Sequence, residues 1–193
     1  ELDLLVLEAG TAPGGRIRTS PFAGLPVDEA ADAFLAVRES GGNSLAGCVT
    51  WAPKTTEVGE ANPGATVLGE AQWEWLEDRL KQPADLRIIA SSIQVLPEEH
   101  FWEGWANMPA ERLRLMELLE GGEEPVIFLS GDRHMGEISR MPADDLSGPG
   151  REIWEVTSSG LTQAGGGYGE PNKFRVGMKE AYRKRNAGWL FID

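Results

Sequence analysis

Pro125-Val126-Ile127-Phe128-Leu129-Ser130-Gly131-Asp132-Arg133-His134 is the stretch on which the reading of this chain turns. A continuous apolar run of that length, closed by a glycine turn, is what a strand buried on both faces requires. Gly131 permits the tight turn that aims the next residues inward. Asp132 offers a hard oxygen, and His134 an imidazole nitrogen suited to iron or zinc. Polar side chains at a strand's carboxyl end stand on a rigid support and open onto a cleft. Between them, Arg133 is either a fork for phosphate or an anchor for a neighbouring loop. Taken alone, Gly-Asp-x-His also describes a turn closed by an Asx-type bond beside a surface histidine. His100 is the only other histidine in the chain.

Working upstream, Gly121-Gly122 ends a helix that Pro109 opens at its first turn, with Leu113, Met116 and Leu118 or Leu119 on one face. Before it, Leu86-Arg87-Ile88-Ile89-Ala90-Ser91-Ser92-Ile93-Gln94-Val95-Leu96 reads as a strand entering a loop. Trp73, Leu76 and Leu80 recur at helical spacing opposite charged residues, which predicts a helix over about 70–81 that Pro83 stops. Residues 37–63 are polar and aperiodic, with Gly41-Gly42-Asn43, Cys48 and Pro53, and the linker is placed there. Leu4-Leu5-Val6-Leu7 reads as a short buried strand. Downstream, strands are expected at 152–157, around 174–178 and at 188–192. Helix and strand units that give way to strands point to a layered α/β architecture.

With 193 residues, of which 41% are hydrophobic, the chain can bury the core of one domain and carry a short appendage. A formal net charge of −13 argues against a general nucleic-acid or anionic-membrane binder, since both need a cationic face. The single cysteine, Cys48, permits no intramolecular disulfide and no thiolate zinc cluster. No stretch approaches the roughly 20 apolar residues that span a bilayer. The opening Glu1-Leu2-Asp3-Leu4 has neither an initiator Met nor a basic signal-peptide segment, so the chain is expected to begin inside a longer protein.

Several blocks resemble one family, the PhoD-like alkaline phosphatases, which are metallophosphoesterases. Leu68-Gly69-Glu70-Ala71-Gln72-Trp73-Glu74-Trp75-Leu76 is similar to a helix start of that family, and Ile89-Ala90-Ser91-Ser92-Ile93-Gln94-Val95-Leu96-Pro97 to its next strand. Trp105-Ala106-Asn107-Met108-Pro109-Ala110-Glu111-Arg112 matches its Trp-x-Asn-x-Pro-x-Glu-Arg helix entry, with Ala110 where many members carry His. Ser130-Gly131-Asp132-Arg133-His134 resembles its late metal-binding motif. Residues 155–162, Asn172 with Arg175, and Asn186-Ala187-Gly188 are close to its final elements. The resemblance, over residues 64–193, implies the carboxyl-terminal half of an α/β/β/α sandwich with metals, calcium and iron, at the sheet ends. It implies a hydrolase of small-molecule phosphate esters, with Asp132 and His134 as metal ligands, Arg133 at the catalytic cleft and Asn107 toward the substrate. Capping of the following helix is the alternative role for Asn107. Members are commonly exported. The family's early acidic ligands have no counterpart here, so weak metal binding and low activity of the chain alone are expected.

Residues 1–40 are similar to something else. Leu4-Leu5-Val6-Leu7-Glu8-Ala9-Gly10 and Gly14-Gly15-Arg16-Ile17-Arg18-Thr19 resemble flavin-dependent amine oxidases, protoporphyrinogen oxidase especially. That likeness implies a Rossmann-like dinucleotide-binding fragment in which Glu8 meets a ribose and Gly14, Gly15 and Arg16 lie along a pyrophosphate. The glycine-rich phosphate turn that supplies helix-terminus donors is missing, so no FAD binding is expected. The chain therefore reads as a chimera, with a non-catalytic remnant or a flavin oxidoreductase fragment as the rival functions.

Overall fold

β5, Val126–Ser130, lies where the apolar run places it, in the middle of a five-stranded sheet. The structure is a computed structural model that describes residues 2–6, 19–22, 25–28, 64–100, 102–166 and 170–192. The remaining elements are β1 (Leu2–Val6), β2 (Thr19–Phe22), β3 (Leu25–Asp28), α1 (Glu70–Leu80), β4 (Leu86–Ser91), α2 (Pro109–Glu120), β6 (Gly136–Met141) and β7 (Ile153–Ser158). A short 3-10 turn, Trp105–Asn107, leads into α2. The sheet order is β1-β4-β5-β7-β6, parallel except for the antiparallel edge strand β6. β2 and β3 form a separate antiparallel pair. The fold is mixed α/β. Among the described residues no second layer of a sandwich is seen, and Glu8, Gly14, Gly15, Arg16 and the segment around Cys48 lie outside them. No helix among them is long and apolar enough to cross a membrane.

The register aligns the strand ends. Ser91 of β4, Ser130 of β5 and Thr157 of β7 stand in one row at the carboxyl edge of the sheet. Ser130 Oγ and Thr157 Oγ1 are 2.8 Å apart, in hydrogen-bond contact. Trp105 donates its indole N–H to Ser91 Oγ at 3.0 Å, which seats the 3-10 turn over the same edge. These three polar residues at the end of otherwise apolar strands are buried.

α1 buries Trp73 and Leu76 as its spacing predicts, and Trp73 meets Trp105 edge to face with ring centroids 6.3 Å apart. α2 differs from expectation. Leu113 is exposed, and the buried face is Glu111, Arg112, Leu115, Met116 and Leu119. Two charged residues point inward because each ties down a buried segment of backbone. Glu111 accepts the N–H groups of Val67 and Leu68 and the indole N–H of Trp73, all at 2.9 Å. Arg112 donates to the carbonyls of Val95 at 2.9 Å and Leu96 at 3.4 Å.

The other side of Val95 and Leu96 is held by Glu155 of β7. Its two carboxylate oxygens accept the N–H of Val95 at 2.9 Å and of Leu96 at 2.7 Å. All four polar backbone groups of this fully buried dipeptide are thus satisfied by side chains. Burial pushes the Glu155 carboxyl above the usual carboxylate range, against the pull of Ser130 and the two N–H donors.

Two further strands expected from sequence are not formed. Residues 174–178 make only an isolated bridge, Arg175 to Ser139, and residues 188–192 have no regular structure and lie exposed. The strand that does form, β6, has an inverted pattern. Its buried face carries Glu137 and Ser139 beside Met141, while Ile138 and Arg140 face outward. Alternation read for apolar residues misses such a strand.

The clamp on Val95-Leu96 yields a test. Glu155→Ala and Arg112→Ala are each expected to cost about 3 kcal/mol in urea unfolding, since each leaves two buried backbone groups unsatisfied. The double variant is expected to cost clearly less than the sum, because both act on one dipeptide. Additive effects, or single losses below about 1 kcal/mol, would contradict this role for the pair.

Candidate active site

β5 delivers its motif directly onto the carboxyl edge of the sheet. The Arg133 N–H donates to the Gly131 carbonyl at 2.8 Å, closing a three-residue turn on Asp132, whose φ is 67°. A positive φ in such a turn belongs to the rare, strained form of the γ-turn. His134 follows with φ 55°, also left-handed. Among the described residues, Asp132 and His134 are the only non-glycine positions with positive φ. Each such conformation costs about 1–3 kcal/mol and persists only where its surroundings impose it.

The surroundings do impose it. The His134 carbonyl accepts the N–H groups of Gly165 at 3.1 Å and Gly166 at 3.2 Å. A Cβ on Gly166 would fall 1.8 Å from the Arg133 carbonyl oxygen, so only glycine allows this approach. The Met135 carbonyl accepts the Ser159 N–H at 3.0 Å, and Gly136 exchanges two 2.8 Å backbone bonds with Tyr182.

Arg133 turns away from its neighbours' side of the turn. Its guanidinium is buried, pairs with Glu170 and lies over the Trp102 ring at 5.6 Å. Trp102 in turn donates its indole N–H to Glu170 at 2.6 Å. Of the two roles open to it in sequence, this geometry is that of the loop anchor. Asp132 is exposed and His134 half-buried, so the two expected ligands stand toward solvent while the residue between them is locked inside. Asn107 is buried in the 3-10 turn with its N–H on the Gly104 carbonyl at 3.0 Å. It does not cap α2, whose N-cap is Met108 with no side-chain bond.

A carboxylate and an imidazole on one rigid turn suit iron or zinc as part of a coordination shell. Among the described residues no group of three or more His, Cys, Asp or Glu is arranged to complete one. Next to the turn lies a buried polar network that sequence reading did not find. Glu137, almost wholly buried, accepts from Gln94 at 3.2 Å and Asn172 at 2.8 Å and pairs with Arg175. Gln94 also donates to Thr157 Oγ1 at 2.8 Å. Asn172 and Arg175 stand out in sequence only through the family resemblance, and Glu137 gives no signal at all.

His100 sits with its ring against Gly104, and both ring nitrogens are buried with no hydrogen-bond partner among the described residues. Gln94 Oε1 and Arg133 Nε are also buried without partners among the described residues. Burial first, then the nearby Arg133 charge, holds the His100 pKa at about 4, against the opposing pull of Glu170.

A family model described as PhoD-like phosphatase matches residues 34–192. No curated protein matches the chain.

Two outcomes follow from this geometry. Replacing Asp132 or His134 by Gly is expected to leave the urea midpoint unchanged or raise stability by about 1 kcal/mol, because glycine adopts positive φ without strain. A loss above about 2 kcal/mol for either would show that the turn is not strained. For His100, the folded-state pKa lies below the ordinary 6.5, so the unfolded chain takes up the proton first. Its contribution to stability is full above pH 6.5 and is lost as pH falls from there through about 4. Thermal melts from pH 8 to 4 should show a shallower loss in that window for His100→Leu than for the wild type. Identical pH profiles would exclude the histidine as the source.

Proposed function

The chain belongs to the PhoD-like phosphatase family, and from that premise we propose that it forms the late part of a metal-dependent phosphate-ester hydrolase site. The observation that carries this reading is the pair of positive-φ residues, which are the same two residues the family motif marks as ligands. Backbone strain is retained where function requires it. Asp132 and His134 would hold the metal, and the buried Arg133–Glu170 pair fixes the turn on which they stand. Calcium and iron, the metals implied by the resemblance, would supply when bound an activated water and neutralisation of phosphoryl charge.

What this chain's own residues do is positional. Gly165 and Gly166 pin the motif's backbone, and the 3-10 turn holds Asn107 over the end of β4, at the sheet edge where a substrate would approach. Glu137, Gln94 and Thr157 fix the floor beneath. The five-stranded sheet is taken as one layer of the family's sandwich. The second layer and the early acidic ligands have no counterpart among the described residues. The family match itself begins at residue 34, so the segment placed as a linker at 41–63 falls within the matched range. The flavoprotein-like residues Glu8, Gly14, Gly15 and Arg16 fall outside it, and nothing in the match supports an oxidoreductase.

Assays with a phosphomonoester and a phosphodiester, with calcium and iron supplied, test the proposal. The chain alone is expected to show slow, metal-dependent turnover that the Asp132→Ala, His134→Ala double variant abolishes. Turnover unaffected by the double variant would place the site elsewhere. Displacements of about 1 Å in such sites already cost about a hundredfold, so an incomplete ligand set should leave the rate low.

A further inference from the structure

The two faces of the sheet are covered unequally. Side chains alternate along each strand, and the register sorts them by face. One face carries Ile89, Val126, Phe128, Ile153 and Met141, all buried in one core with residues of α1 and α2. The other carries Ile127, Leu129, Ile138, Trp154 and Val156, and none of these five is fully buried. Leu129, Val156 and Ile138 lie side by side on β5, β7 and β6, with Ile127 and Trp154 in the next row, so the patch is continuous. Strands that pair in parallel, as β4 and β5 do, ordinarily have both faces covered.

A second apolar stretch leaves from the same face. Gly188 lies so close to β7 that a Cβ there would fall 3.2 Å from Ser158 Cβ and 4.0 Å from Val156 Cγ1. Beyond it, Trp189, Leu190, Phe191 and Ile192 are all exposed, Trp189 by 84% and Phe191 by 87%. Charge is kept off this surface. On β5, β6 and β7 its one charged side chain is Arg140, which is ion-paired with Glu152 and lies over the Trp154 ring at 5.9 Å. A chain of net charge −13, whose acids repel another copy elsewhere, thus presents one neutral apolar face.

We propose that this face is a homodimer interface, closed by the same face of a second copy of the chain packed sheet on sheet across a two-fold axis. A two-fold contact needs a self-complementary patch, and a neutral apolar one meets that condition. Facing sheets pack about 10 Å apart with their side chains interdigitated. The exposed parts of Ile138, Trp154 and residues 189–192 come to about 700 Å² per copy. A stable interface of standard size buries about 800 Å² per partner. The hydrolase reading is not needed for any of this. Sedimentation at a series of concentrations tests it, with far-UV circular dichroism as the check on folding. The wild type should run at twice the chain mass at micromolar concentration and dissociate on dilution, with a melting temperature that rises with concentration. Ile138→Glu with Trp154→Glu should weaken the dimer about tenfold or more, and so should Trp189→Glu with Phe191→Glu. The second pair lies in a segment without regular structure, so its effect does not pass through the fold. Leu113→Glu, exposed on α2 at the opposite face, should leave the dimer unchanged. A monomer at every concentration, or a dimer indifferent to both pairs or equally weakened by Leu113→Glu, would overturn the interface and leave the face to another occupant.

Discussion

Two buried charges of opposite sign, Glu155 on β7 and Arg112 on α2, grip the backbone of Val95 and Leu96 from its two sides. Arg112 is also paired with Glu98 at 2.9 Å, while the Glu155 carboxylate is held by the two backbone N–H groups that it accepts. Together they fix the loop that leaves β4 at the carboxyl edge of the sheet. That loop presents Gln94 to Glu137 and Thr157 and continues to His100 and Trp102. Trp102 and Glu170 then take the guanidinium of Arg133, and Arg133 sets the turn that carries Asp132 and His134. The candidate site is reached from this clamp through a run of specific contacts, buried except at Trp102.

The chain of contacts explains how a strained turn survives. Two left-handed residues within three positions oppose the local preferences of Asp and His by about 1–3 kcal/mol each. The opposing terms are the bonds from Gly165 and Gly166 to the His134 carbonyl and the buried Arg133–Glu170 pair. Glycine at 166 is required by contact distance rather than by φ, since a side chain there would strike the Arg133 carbonyl. Locking the middle residue inward leaves Asp132 exposed and His134 half-buried on either side of it.

The parts of this arrangement legible in sequence are those that obey simple periodicity. β5 follows from an unbroken apolar run, α1 from Trp73 and Leu76 at helical spacing, and the start of α2 from Pro109. The motif at Gly131–His134 is visible because it follows a buried strand at once. What sequence reading lost are residues whose polarity runs against their burial. β6 hides Glu137 and Ser139 inside and shows Ile138 outside, and α2 buries Glu111 and Arg112 while exposing Leu113. Their partners, the backbone of Val67, Leu68, Val95 and Leu96 and the side chains of Gln94 and Arg175, lie between 16 and 44 residues away, so no local window contains the reason. Arg133 illustrates the same limit. Its two possible roles differ only in the presence of Glu170 and Trp102, which only the fold brings to it.

The presence of only two histidines makes the central claim directly measurable. Manganous ion, a paramagnetic probe that accepts carboxylate and imidazole ligands, is titrated into the chain while the imidazole proton resonances are followed by NMR. The account predicts that the His134 resonances broaden first and saturably, that Asp132→Ala removes the effect, and that His100, its ring nitrogens buried, is affected only at far higher concentration. Broadening of His100 before His134, or broadening of His134 that is indifferent to Asp132→Ala, would contradict it.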